Sequence, residues 1–237
     1  MTTFVLCHGA WGGGWSYRRV AKHLRDAGHE VFTPTYTGLG ERSHLANPDI
    51  SLSTHVADVR GVIRYEELDG FVLVGHSYGG MVITGVAEAE WQKIIRIVYL
   101  DAFLPKPGQS LVDQTPDGGK GALKVVAEQG DGWRMPRPPN SIHETVPDDD
   151  RAWILRNTCD QPVKTMTEAY EGAENHLKIA DKIYVLCTLR TETPFFPIAE
   201  RLRGDPAWRV EELPTHHHLA MSMPKETAEI ISSAISA

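Results

Sequence analysis

The stretch that most constrains this chain is Phe71-Val72-Leu73-Val74-Gly75-His76-Ser77-Tyr78-Gly79-Gly80-Met81. Four apolar residues, three of them β-branched or aromatic, predict a short buried strand. The strand runs straight into Gly-His-Ser-Tyr-Gly, and Met81 to Ala87 continues in a helix-compatible run. Strand, G-x-S-x-G turn and helix in that order form the setting in which the motif presents a serine as a nucleophile. Such a turn leaves little room for neighbouring side chains, a need that Gly75 and Gly79 meet. The competing reading is a Gly-rich turn that happens to hold a serine. The flanking strand and helix argue against it, and Ser77 becomes the first candidate for a reacting residue.

The rest of the chain alternates around this unit. Thr3 to Cys7 predicts a first buried strand, and His8 to Trp15 a loop punctuated by four glycines. A helix follows with Val20, Leu24 and Ala27 on one face and Gly28 at its C-terminal cap. Glu30 to Thr33 predicts a strand stopped by Pro34, and Leu52 to Leu68 has helical spacing. Ile94 to Leu100, Ile183 to Leu186 and Arg209 to Leu213 predict further strands, with helices over Pro197 to Arg203 and Lys225 to Ser236. Alternating strands and helices predict an α/β fold with a mostly parallel sheet flanked by helices. Between roughly 106 and 178, prolines and glycines interrupt short helical patches. The expected organisation is therefore a core from 1–105 and 179–237, with 106–178 inserted as a helical cap over the C-terminal rim of the strands, where open α/β sheets bind ligands.

Length and charge narrow the partners. The 237 residues suit one α/β domain or two small ones. A net charge of −7 with no basic block argues against nucleic acid and anionic membrane surfaces. No apolar run approaches a membrane span, and the start of the chain lacks a signal peptide's basic region and cleavage site. Three cysteines show no paired spacing, and Cys7 and Cys187 fall in predicted strands as buried thiols. These features predict a cytoplasmic protein.

A serine hydroxyl needs a base within hydrogen-bond reach. His216, His217 and His218 follow the last predicted strand and supply candidates. Adjacent histidines also suggest a metal, but no carboxylate or cysteine pattern completes a ligand set, so no metal and no cofactor is expected. The backbone N–H of Tyr78, at a helix start, is placed to stabilise an oxyanion. Trp11, Tyr78, Phe103, Trp133 and Met135 are candidate walls of an apolar substrate pocket. Packing inside the insertion is the alternative for Trp133 and Met135. His8 and His76 flank the site as hydrogen-bonding support, and the acidic runs at 148–150 and 211–212 are expected to be solvated faces or caps.

Four blocks resemble the α/β-hydrolase superfamily: Phe4 to Trp11 with Gly14-Trp15, Val74 to Met81, Val98 to Pro105, and His217 to Pro224. Within it they look like the branch of plant methyl esterases, hydroxynitrile lyases and bacterial esterases, including pyrethroid-hydrolysing ones. The likeness spans the chain outside roughly 110–178. It implies the order serine, acid, histidine. By the family's spacing His217, seven residues before Pro224, is the base, and the Ala10 backbone N–H is the second oxyanion donor. The acid departs from the plant esterases: Arg190 stands where their aspartate follows the strand. Arginine cannot accept a histidine N–H. Asp101 occupies the place that dehalogenases and some cofactor-free dioxygenases of the superfamily use for their acid, with Glu192 as runner-up. Hydroxynitrile lyases of this branch carry a lysine after the catalytic histidine, whereas His218 stands here. The resemblance implies a serine carboxylesterase acting on small or medium esters. Its rivals are a cofactor-free dioxygenase and a small-molecule receptor that keeps the triad.

Overall fold

The computed structural model describes residues 1–138, 141–189 and 193–234. Six strands build one sheet: β1 (Thr3–Cys7), β2 (Glu30–Phe32), β3 (Phe71–His76), β4 (Ile94–Leu100), and, after a long excursion, β7 (Asp181–Cys187) and β8 (Arg209–Leu213). Their order is β2-β1-β3-β4-β7-β8, and every neighbouring pair is parallel. A parallel strand needs a crossover to return, and helices supply it: α1 (Arg18–Asp26), α2 (Leu52–Tyr65), α3 (Gly79–Glu90) and α7 (Phe195–Arg203), with α8 (Leu219–Ser222) and α9 (Pro224–Ser232) closing the chain. The result is the α/β fold the sequence predicts, a parallel sheet with helices on both faces.

Alternation along each strand feeds two cores. Val5, Leu73, Ile97 and Tyr184 point to the face covered by Val59 and Ile63 of α2, Val82 and Val86 of α3, and Ile198 of α7. Leu6, Val72, Val98 and Ile183 point to the other, against Val20 and Leu24 of α1 and Ile231 of α9. Because both faces are buried, the strands read as continuous apolar runs rather than alternating ones. Arg96 breaks that run and is fully buried. Its guanidinium donates to Asp181 Oδ2 at 2.9 and 2.5 Å and to the carbonyls of Ser233 and Ala234, tying the end of α9 to the sheet.

The excursion between β4 and β7 holds α4 (Lys120–Gln129), α5 (Asp148–Asn157) and α6 (Lys164–Thr167). It also holds an antiparallel ribbon of β5 (Arg134–Met135) and β6 (Gln161–Pro162), which the helical expectation for this segment did not include. Strands of two residues are too short to display an alternating pattern in sequence. The last helix starts at Pro224, one residue before its predicted start, with proline at its first turn where a missing N–H costs nothing. Among the described residues no helix is long and apolar enough to cross a membrane.

Candidate active site

The C-terminal ends of β1, β3, β4, β7 and β8 converge on one rim. β3 stops at His76, and the chain turns through Ser77 at φ +54°, a left-handed conformation serine seldom adopts. Ser77 N–H donates to Leu100 O at 3.2 Å, and Ser77 O accepts from Gly80 and Phe103 at 3.0 and 3.1 Å. These bonds lock the kink. A Cβ on Gly75 would lie 2.6 Å from Gly79 O, and one on Gly79 would lie 2.4 Å from Cys7 O. Neither position can carry a side chain without the turn opening.

β4 ends in the same manner. Asp101 has φ +45°, and its N–H donates to Val185 O at 2.7 Å. Its carboxylate is buried. Oδ1 accepts from Cys187 N–H at 3.1 Å, and Oδ2 lies 2.6 Å from Nδ1 of His217, in the loop after β8. A carboxylate only accepts, so Nδ1 carries a proton in this contact. His76 Nε2–H donates to His217 O at 2.7 Å, and the Phe195 ring stacks on the His217 ring at 5.1 Å and 8°. The imidazole is thus held through its backbone, its inner nitrogen and one face.

Ser77, His217, Ala10 and Tyr78 line one apolar cavity of about 280 Å³. Trp11, Phe103 and Met135 line it too, as the sequence suggested, joined by Leu111, Val112, Met166 and Phe195, which the sequence reading did not single out. Trp133 is not among the cavity's lining residues. It sits in the turn before β5, where its N–H donates to Gly130 O, and the Arg134 guanidinium covers its ring at 5.0 Å. The side chain is committed to that turn before the ribbon begins. A larger surface hollow of about 580 Å³ beside α2 has no serine, cysteine or histidine in its wall.

The loop after β1 is held by the excursion. Trp11, at φ +59°, donates its N–H to Gln161 Oε1 at 3.0 Å and its indole N–H to Met135 O at 2.9 Å, while its carbonyl accepts from Cys159. Among the described residues neither Ala10 N–H nor Tyr78 N–H has a protein acceptor. The Tyr78 hydroxyl donates to His55 Nδ1 at 2.8 Å, and His55 Nε2–H donates to Thr37 O at 3.0 Å. Burial lowers His55 to about 3 and keeps it neutral. His8 is lowered to about 3 by the same cause and accepts Tyr36 N–H through Nε2. Burial likewise pushes His76 and His218 well below the usual histidine range. His218 Nε2 accepts from Arg137, and His216 Nδ1 accepts from His218 N–H. Among the described residues no group of three histidine, cysteine or acidic side chains could hold a metal. Arg190 and Glu192 lie outside the described residues.

Known proteins are similar along the whole chain. The sequence profile of the alpha/beta hydrolase family matches residues 4–230. A carbendazim-hydrolyzing esterase of Nocardioides sp. (strain SG-4G) is 40% identical, the alignment covering 98% of this chain and 99% of that one. A pyrethroid hydrolase of Sphingobium wenxiniae is 35% identical over 46% of this chain and 38% of its own length. Among solved structures, an extracellular alpha/beta-hydrolase from a Paenibacillus species superposes with a TM-score of 0.87 at 27% identity, both chains fully covered.

Proposed function

Since the chain belongs to the alpha/beta hydrolase family, we propose that it hydrolyses carboxylic esters through an acyl-enzyme on Ser77. One observation carries the reading: Ser77 and His217 wall the same apolar cavity while His217 Nδ1 sits 2.6 Å from the buried Asp101 carboxylate. Ser77 Oγ attacks the ester carbonyl carbon and passes its proton to His217 Nε2. Asp101 keeps the imidazole in the required tautomer and stabilises the imidazolium that forms. The carbonyl oxygen becomes an oxyanion that accepts from the Ala10 and Tyr78 N–H groups. Tyr78 stands at the start of α3, where the helix dipole favours negative charge. Each such donor contributes about 2.7–4 kcal/mol in the transition state. The alcohol leaves with the proton from His217. Water, deprotonated by the same nitrogen, then releases the acid and restores Ser77. These side chains complete the chemistry without metal or cofactor.

Residues 106–178 act as a cap. Leu111, Val112, Met135 and Met166 close the cavity over Ser77, and Gln161 and Met135 O fasten the Trp11 loop. An apolar cavity of this size suits small to medium esters with few polar groups. Three free thiols support a reducing, cytoplasmic setting.

Turnover of p-nitrophenyl acetate, p-nitrophenyl butyrate and carbendazim tests the reading, the last because a relative of 40% identity hydrolyses it. Ser77→Ala is expected to lower kcat by about 10³-fold or more, and phenylmethylsulfonyl fluoride is expected to label Ser77 alone. Full activity in Ser77→Ala overturns the mechanism. Absence of turnover across a broad ester panel, together with tight binding of a small molecule, points instead to a receptor.

A further inference from the structure

A second hollow of about 70 Å³ shares Ala10, Trp11, Ser77 and His217 with the apolar cavity but is otherwise walled by different residues, among them His76, His218 and Arg137. Arg137 is the unusual member. Its Nε–H donates to Ser141 Oγ at 2.8 Å, Nη2 donates to His218 Nε2 at 2.9 Å, and its carbon centre stands 6.0 Å from the Trp11 ring. Both bonded partners are neutral: Ser141 is a hydroxyl, and burial holds His218 far below the usual histidine range. Among the described residues no carboxylate lies within ion-pair distance of Arg137, whereas Arg19, Arg42 and Arg96 each face one.

A half-buried guanidinium offers five N–H donors in a fixed fork, and an unpaired charge is costly to keep away from water. Burial alone lowers its pKa to about 10, with no anion to offset it. His76 in the same wall is also neutral, among the described residues no carboxylate lines the hollow, and Asp101 is hydrogen-bonded to His217. The hollow therefore carries one uncompensated positive charge beside the reacting serine. Its volume holds roughly two water molecules, room for a carboxylate but not for an aromatic ring.

We propose that this hollow is a carboxylate subsite, and that Arg137 selects esters bearing a second, free carboxyl group, such as half-esters of short dicarboxylic acids. The uncharged part of such a substrate occupies the apolar cavity while its carboxylate meets the guanidinium fork across Ser77. Charge-assisted pairing of this kind is stronger than a neutral hydrogen bond and is geometrically selective. The inference rests on the esterase reading and adds the substrate class to it.

The test compares mono-p-nitrophenyl glutarate with its neutral isostere p-nitrophenyl valerate. Wild-type kcat/KM is expected to favour the glutarate ester, and raising NaCl from about 20 mM to about 0.5 M should narrow that preference. Arg137→Gln should lower the glutarate-to-valerate ratio about tenfold or more, mainly through KM, with Arg137→Lys in between. An unchanged ratio, or an equal fall on both esters, overturns the subsite. A wild-type enzyme inert on both esters would instead refute the esterase reading beneath it. Should Arg137→Gln fail to fold, the wild type still decides. Glutarate is expected to inhibit valerate hydrolysis competitively, about tenfold more tightly than neutral glutaramide and less so in high salt, and equal inhibition by the two overturns the proposal.

Discussion

Asp101 leaves β4 at φ +45°, an angle that aspartate tolerates better than most side chains, and this kink turns its carboxylate toward His217. Ser77 and Trp11 share the left-handed conformation, so three residues at the rim are held in a backbone state disfavoured for side chains. The hydrogen bonds that their N–H groups donate to Val185 O, Leu100 O and Gln161 Oε1 hold that state in place. For the proposed triad, Asp101→Asn is expected to reduce kcat on p-nitrophenyl butyrate by about 10⁴-fold, because an amide at this position favours the wrong histidine tautomer. Glu192→Gln should leave kcat little changed. The reverse pattern would transfer the acid's role to Glu192. Ser77 and the histidine run were legible in sequence because their motif is local. The contact between Asp101 and His217 spans 116 positions, and no spacing rule in the sequence encodes it.

Among the elements, the two-residue strand β6 does more for the site than its length suggests. Gln161 is fully buried, with Oε1 on Trp11 N–H and Nε2 donating to Thr165 Oγ1 at 2.7 Å. It fixes the loop whose preceding residue, Ala10, presents an N–H to the cavity. Gln161→Leu leaves the Trp11 N–H without its acceptor and should destabilise the fold by about 1–3 kcal/mol, read from urea unfolding. If loop geometry governs the oxyanion, the same variant lowers kcat on p-nitrophenyl butyrate about tenfold with a smaller change in KM. An unaltered kcat would separate β6 from catalysis. The long elements, β3 and α3 above all, were readable from composition and periodicity. The ribbon was not, since two residues show no period, and so the sequence did not show which of Met135 and Trp133 lines the cavity; Met135 does.

At the scale of the molecule, neutral histidines packed beneath the rim couple stability to pH. His8 and His55 are lowered to about 3 by burial, while in the unfolded chain they titrate near the ordinary value of about 6.5. Between those values the unfolded chain binds protons that the folded one refuses, so their contribution is complete above about 6.5 and is lost as pH falls through that window. The urea midpoint should therefore drop steadily from about pH 7 to about pH 5, and a flat or rising profile would remove these histidines from the account. The sequence by itself determined the strand–turn–helix around Ser77, the alternation that makes a parallel sheet and the apolar runs that bury both its faces. Those are local patterns, set by the periods of strand and helix. Tertiary structure decided what lies between them: sheet register sets Leu100 beside Val185 and so carries Asp101 to the loop of His217, and the folded excursion brings Arg137 onto His218 beside Ser77. Such meetings depend on the packing of elements far apart in the chain, where sequence periodicity carries no information.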